Sequence, residues 1–109
     1  MGGMIQILIT HGDERIEVSI KGHAGYNLDG KDVVCAGVSA LAQGILEYLD
    51  SLCCGLVRQS EVKKGHLTMV LTRTAVSLHM VRMLVHTCES ILKSYPNTIE
   101  VKEVDELGS

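Results

Sequence analysis

The sequence predicts a single α+β domain in which two helices pack on one face of a mixed or antiparallel sheet. Short segments alternate polar and apolar residues at period two, whereas two longer segments repeat apolar residues every three or four positions. These strand and helix patterns follow one another in the order ββαββαβ, without an internal repeat or a linker. We therefore treat all 109 residues as one domain. Within it, residues 1–3 are interpreted as an expression remnant before Met4, and residues 105–109 as a frayed tail.

The first two strands are predicted to form a hairpin. Residues 5–10 are rich in β-branched side chains, residues 11–14 have the composition of a turn, and Arg15–Lys21 alternates strictly. The hairpin ends at Gly22 and His23. A histidine therefore stands where a strand passes into a loop, a common place for functional side chains.

The first helix is predicted from residue 33 to about residue 54, with Asp32 as its N-cap and Gly55 as its C-terminal stop. Glycines at 37 and 44 interrupt it, and we interpret them as sites of close packing. Its predicted buried face contains Val34, Val38, Leu41, Ile45, Leu49 and Leu52.

The second half of the chain repeats the pattern. Strands are predicted at 56–62 and 67–72 around a turn, followed by a helix over 75–95 that Pro96 ends and a last strand at 98–104. The apolar face of this helix contains Val81, Leu84, Val85, Cys88, Ile91 and Leu92.

Cys35 is the leading candidate for a nucleophile. With Asp32 as cap, Cys35 falls in the first helical turn, where unpaired N–H groups and the helix dipole favour a thiolate. His23 lies across a loop containing Gly25 and Gly30, and its imidazole is a suitable proton acceptor for the sulfur. The alternative interpretation is a small core cysteine beside an ordinary loop histidine.

The segments Gly22-His23-Ala24 and Asp32-Val33-Val34-Cys35-Ala36-Gly37-Val38-Ser39-Ala40-Leu41 resemble the signature of the ribosomal-processing cysteine proteases. The resemblance extends from about Met4 to about Val104. These small bacterial proteins remove the N-terminal extension of a large-subunit ribosomal protein, a step in ribosome assembly. At position 37 the family more often has alanine than glycine.

This resemblance implies that Cys35 is the nucleophile and His23 its base, within a single cysteine protease domain over residues 1–109. It assigns supporting roles to Asp32 and Ser39. Asp32 either caps the helix or orients His23, and we favour the cap because a carboxylate near the sulfur opposes thiolate formation. The substrate loop contains Gly22, Ala24, Gly25 and Gly30. The resemblance also implies a homodimer, and an apolar subsite beside Cys35 for aromatic substrate residues.

Composition and charge predict the cellular location and argue against nucleic acid and membrane as partners. No secretion signal precedes the domain, so the four cysteines are interpreted as reduced thiols and the location as cytoplasmic. The net charge of −3, without a dense basic run, argues against direct nucleic-acid binding. We expect no membrane span, because no apolar run reaches the necessary length.

Other cysteine and metal chemistries lack their signatures. No C-x-x-C or H-E-x-x-H spacing indicates zinc, and His79 and His86 are interpreted as ordinary helix residues. A cysteine phosphatase needs an arginine six positions after the cysteine, where Leu41 stands. We expect no metal and no cofactor. The remaining alternative to a protease is a non-enzymatic, ribosome-associated module that binds a peptide with the same loop.

Overall fold

The computed structural model describes residues 4–22, 31–52 and 55–106. For residues 31 and 32 it describes the backbone only. The strands are β1 (Ile5–His11), β2 (Arg15–Lys21), β3 (Val57–Lys63), β4 (His66–Thr72) and β5 (Ile99–Asp105). The helices are α1 (Lys31–Glu47), which continues into a π-helical segment at Tyr48–Leu52, and α2 (Ala75–Ser94). The predicted order ββαββαβ is confirmed.

The five strands form one mixed sheet in the order β3-β4-β2-β1-β5. Neighbouring strands are antiparallel except β1 and β5, which run parallel. The central pairings align apolar residues on one face, for example Ile9 opposite Val18 and Val18 opposite Met69. Strand β2 is therefore central, and its end at Lys21 lies between β1 and the β3–β4 hairpin.

Both helices contribute to one core with that apolar sheet face. α1 contributes Val34, Val38, Ala42, Ile45 and Leu49, and α2 contributes Val81, Leu84, Val85 and Cys88. The face predicted for α1 was wrong at its end, because Leu52 is 71% exposed, and Leu41 is only partly buried. Ala42 is fully buried instead.

The glycines of α1 do not mark close packing. Among the residues that the structure describes, none lies within 4 Å of a Cβ atom added to Gly37 or Gly44. The expectation that they allow a close approach is therefore wrong. Gly55, in contrast, has a φ of 78° after the π-helical segment, which agrees with its predicted role as a stop.

Helix α2 is fixed at its first residues. The Thr74 side chain accepts a hydrogen bond from Ser77 N (3.1 Å), and Ser77 Oγ accepts one from Thr74 N (2.9 Å). This reciprocal cap satisfies two N–H groups that a helix start leaves unpaired.

At the C-terminal end of the described chain, Asp105 belongs to β5, and Glu106 N donates to His11 O at 2.8 Å. Residues 105 and 106 are thus part of the sheet edge rather than of the frayed tail that was predicted.

By length and composition alone, Val33–Leu52 could span a membrane. The expectation that no segment reaches this length is therefore wrong. A core helix passes the same test, and α1 packs one face against the sheet.

Candidate active site

Gly22 directly follows the end of β2 and has a backbone conformation that suits glycine. Its φ is 89°, and its N–H donates to the carbonyl of Gly65 at 3.0 Å. An added Cβ would lie 3.1 Å from the carbonyl oxygen of Met4. Gly22 therefore joins the end of β2 to the turn between β3 and β4, and fixes where the chain leaves the sheet before His23.

Cys35 is a free, half-buried thiol on α1. The helix begins at Lys31, so Asp32 lies inside the first turn rather than at the predicted N-cap. Cys35 is consequently the fifth helical residue, just beyond the first turn in which we expected it.

Cys35 lines an open cleft of about 590 Å³, within the range typical of ligand sites. One wall is a row on α1, formed by Cys35, Ser39 and Gln43. The opposite wall is the turn between β3 and β4. Buried apolar side chains also line the cleft, namely Ile20, Ala42 and Leu67. The combination of a thiol, polar groups and an apolar lining suits an extended peptide.

The cleft also brings together the two ends of the predicted site. Gly22, the residue before His23, lines the same cleft as Cys35. His23 and the loop residues Ala24, Gly25 and Gly30 lie outside the described residues. The approach of His23 to the Cys35 sulfur therefore remains a prediction.

Sequence reasoning missed two parts of the cleft. Gln43 stands eight positions after Cys35, a spacing that keeps it near the same helix face and could have identified it. The β3–β4 turn and the residues beside it contribute Lys63, Lys64 and His66. The Nε2 atom of His66 is buried and has no hydrogen-bond partner among the described residues. No local sequence signal connects this turn to α1.

Within residues 4–22, 31–52 and 55–106, no group of three or more His, Cys, Asp or Glu side chains is arranged to hold a metal ion. The described part of the cleft therefore offers the thiol of Cys35 beside apolar side chains.

Comparisons with known proteins agree with that chemistry. The sequence model of the family described as "Cysteine protease Prp" matches residues 4–100. Among curated proteins, none matches significantly.

Solved structures share the fold. The essential ribosomal processing protease Prp from S. aureus, in complex with a covalently linked product peptide, has a TM-score of 0.70 at 23% identity, covering 92% of this chain and 99% of that chain. The same protease in complex with a substrate peptide has a TM-score of 0.70 at 21% identity, with the same coverage. SMU.848 from Streptococcus mutans has a TM-score of 0.67 at 23% identity, covering 95% of this chain and 97% of that chain.

The family model matches residues 4–100, which make up most of the domain. Within this range, Cys35 lines a cleft large enough for a peptide. The chain belongs to the Prp family of cysteine proteases.

Proposed function

We propose that this protein is an endopeptidase that removes the N-terminal extension of a large-subunit ribosomal protein, with Cys35 as nucleophile and His23 as general base. The observation that carries the proposal is the half-buried Cys35 thiol in a cleft that Gly22, the neighbour of His23, also lines. The S. aureus relative is described as a ribosomal processing protease with bound substrate and product peptides. That description supports the same substrate class here.

The reaction proceeds through a thioester. His23 accepts the proton of the Cys35 thiol as the sulfur attacks the scissile carbonyl, and then donates it to the leaving amine. Water, activated by the same imidazole, hydrolyses the thioester and restores the thiol. Backbone N–H groups near the start of α1 stabilise the oxyanion that forms in each step.

Asp32 and Ser39 support this reaction in different ways. Ser39 lies one turn after Cys35 on the same wall of the cleft, within reach of a bound peptide. Asp32 stabilises the first turn of α1 or orients His23. Replacing Asp32 by Asn separates the two: a helix role preserves most of the activity, whereas near-complete inactivation assigns Asp32 to His23.

Mass spectrometry of a peptide that spans the ribosomal extension tests the proposal. We expect one internal cut that Cys35→Ala and His23→Ala abolish while circular dichroism stays unchanged. Cys88→Ala, a change to a cysteine outside the cleft, is the matched control and should keep cutting. Binding of the uncut peptide without hydrolysis by the unaltered protein would instead establish the alternative, a ribosome-associated peptide-binding module.

Alkylation tests the nucleophile without a substrate. Cys35 should react with iodoacetamide at neutral pH in the folded protein, whereas Cys88 should react only after unfolding. Equal rates at the two thiols would remove the physical basis of the proposal.

We also propose that the enzyme is a homodimer that acts in the cytoplasm during ribosome assembly, without direct contact to nucleic acid or membrane. An apolar groove of about 320 Å³ between α1 and α2 supports dimer formation, since Tyr48 and Met83 line it while 44% and 41% exposed. A second copy of the chain would cover this groove.

Light scattering after size-exclusion chromatography tests the dimer. Tyr48→Lys should yield monomers, whereas Tyr95→Lys, a similarly exposed tyrosine outside the groove, should not. A monomeric mass for the unaltered protein would contradict the dimer but not the protease. Fluorescence microscopy of a tagged copy tests the cytoplasmic location, and accumulation of the uncut ribosomal protein on depletion tests the role in assembly.

A further inference from the structure

The polar side chains of α1 are concentrated on one wall of the cleft. Between Val33 and Leu46, the only residues with hydrogen-bonding side chains are Cys35, Ser39 and Gln43. They are spaced four apart, so each stands about one helical turn after the last. All three line the cleft, opposite the turn between β3 and β4.

Gln43 is itself exposed, as are Ala36, Gly37, Ala40 and Gly44 on the same part of α1. Among these exposed positions, only Gln43 carries a polar side chain and only Gln43 lines the cleft. It continues the row that starts at Cys35. Within the described part of the chain, no hydrogen bond occupies its carboxamide, so its donor and acceptor are available to a ligand.

The helix geometry sets how far along a peptide Gln43 acts. Eight residues at about 1.5 Å rise place its Cα about 12 Å from that of Cys35. An extended peptide advances about 3.3 Å per residue, so the same length corresponds to three or four substrate residues. A glutamine carboxamide offers one acceptor and two donors, which match the N–H and C=O of a single backbone unit.

We propose that Gln43 is a substrate-binding residue that holds the backbone of the extended peptide three or four residues from the scissile bond. This inference rests on the proposed protease function and extends it. The distance from Cys35 to Gln43 along α1 then sets how long a peptide must be to make every contact in the cleft. Peptides too short to reach Gln43 lose this contact, whatever their sequence at the cut. The enzyme therefore favours cleavage sites that lie several residues inside an extended segment.

Steady-state kinetics on a nested set of peptides, trimmed one residue at a time from either end, tests the proposal. Gln43→Leu keeps the size of the side chain and removes its hydrogen bonds. On the full peptide, we expect KM to rise about 3- to 10-fold with kcat nearly unchanged, the effect of losing one or two uncharged hydrogen bonds. On peptides trimmed past the contact, Gln43→Leu and the unaltered enzyme should be equal.

Gln6→Leu is the matched control, because Gln6 is an exposed glutamine of β1 outside the cleft. It should leave KM unchanged on every peptide. Retention of the Cys35 alkylation rate and of the thermal unfolding midpoint in Gln43→Leu excludes a folding defect.

A backbone ester at each substrate position in turn identifies the partner atom, since an ester lacks the N–H group. At the contacted position the ester should raise KM for the unaltered enzyme, but add little to the effect of Gln43→Leu. If the ester and Gln43→Leu each raised KM by an independent factor at every position, the inference would be overturned. An equal KM for Gln43→Leu and the unaltered enzyme on all lengths would also overturn it. In both cases the unaltered enzyme still cuts, and the proposed function survives. If it cuts no peptide, both proposals fail.

Discussion

Helices α1 and α2 cover the same face of the sheet, yet they expose their cysteines to different surroundings. Cys88 on α2 is completely buried, and burial, with a smaller contribution from Glu89, raises the pKa of its thiol to about 11. Cys35 on α1 is half-buried and lines an open cleft. The difference shows that a cysteine's position relative to the cleft, and not its place on a core helix, decides whether its sulfur can meet a substrate.

The two helices also differ in the contacts that stabilise them. α2 starts with the reciprocal Thr74–Ser77 cap, and its Arg82 pairs with Glu103 on β5. In α1, no described residue lies within 4 Å of a Cβ atom added at Gly37 or Gly44, and no charged residue occurs from Val33 to Leu46. α2 is therefore fixed by a cap at its start and an ion pair to β5, whereas α1 contributes to the core and lines the cleft.

The largest expected effect distinguishes the two cysteines. Cys35→Ala should reduce kcat/KM at least about 10³-fold with little change in the free energy of unfolding, because it removes the proposed nucleophile from a partly open site. Cys88→Ala should keep the activity and lower the free energy of unfolding by about 1 kcal/mol, through the small cavity that it leaves. Peptide cleavage and urea unfolding of both variants measure this. Equal losses of activity would contradict the assignment.

The buried thiol should also make stability depend on alkaline pH. The unfolded chain loses the Cys88 proton near pH 9.0, and the folded protein keeps it up to about pH 11. Between these values the folded state binds more protons, so the free energy of unfolding falls as pH rises, by at most about 1.4 kcal/mol per pH unit. Urea unfolding from pH 8 to 11 should show a shallower slope for Cys88→Ala. The same slope in both proteins would show that Cys88 does not contribute.

Two glycine-to-alanine changes compare the exit from β2 with the middle of α1. Gly22→Ala should lower the free energy of unfolding by about 1–2 kcal/mol, because alanine resists the positive φ and its Cβ would crowd the Met4 carbonyl. It should also reduce cleavage, since His23 follows directly. Gly37→Ala should raise the free energy of unfolding by up to about 1 kcal/mol, because its Cβ has free space. Destabilisation by Gly37→Ala would mean that α1 needs its flexibility.

The smallest effect concerns the contact between α2 and β5. Although partial burial raises the pKa of Glu103, hydrogen bonds and charges from His11 and Arg82 lower it overall. The carboxylate thus contributes stability above its unfolded pKa of about 4.5 that is lost as pH falls below that value. Because the pair is partly exposed, Glu103→Gln should cost only about 0.5–1 kcal/mol at pH 7.

Thermal unfolding at pH 7 and pH 4 checks this prediction, with Glu100→Gln as control on the same strand. The effect of Glu103→Gln should shrink at pH 4, where the unaltered protein also begins to lose the charge. A constant effect at both pH values would assign the loss to packing.

Local patterns in the sequence were sufficient to predict every helix and strand within one or two residues at most ends, because alternation and the helical period depend only on neighbouring positions. The motif around Cys35 likewise pointed to a cysteine that lines the cleft and to Gly22, which follows the end of β2, whereas the role of Cys35 as nucleophile stays a prediction. The π-helical segment after α1 was the exception, since Leu52 fits the α-helical period but is exposed.

Tertiary structure alone decided which strands are neighbours and what stands across from Cys35. The parallel pairing of β1 with β5 and the position of the β3–β4 turn opposite α1 depend on contacts between residues far apart in the chain. No local period encodes such contacts. For the same reason Ala42 became a core residue and Gln43 part of a wall of the cleft, because the rotation of α1 over the sheet determines which of its faces meets the core and which lines the cleft.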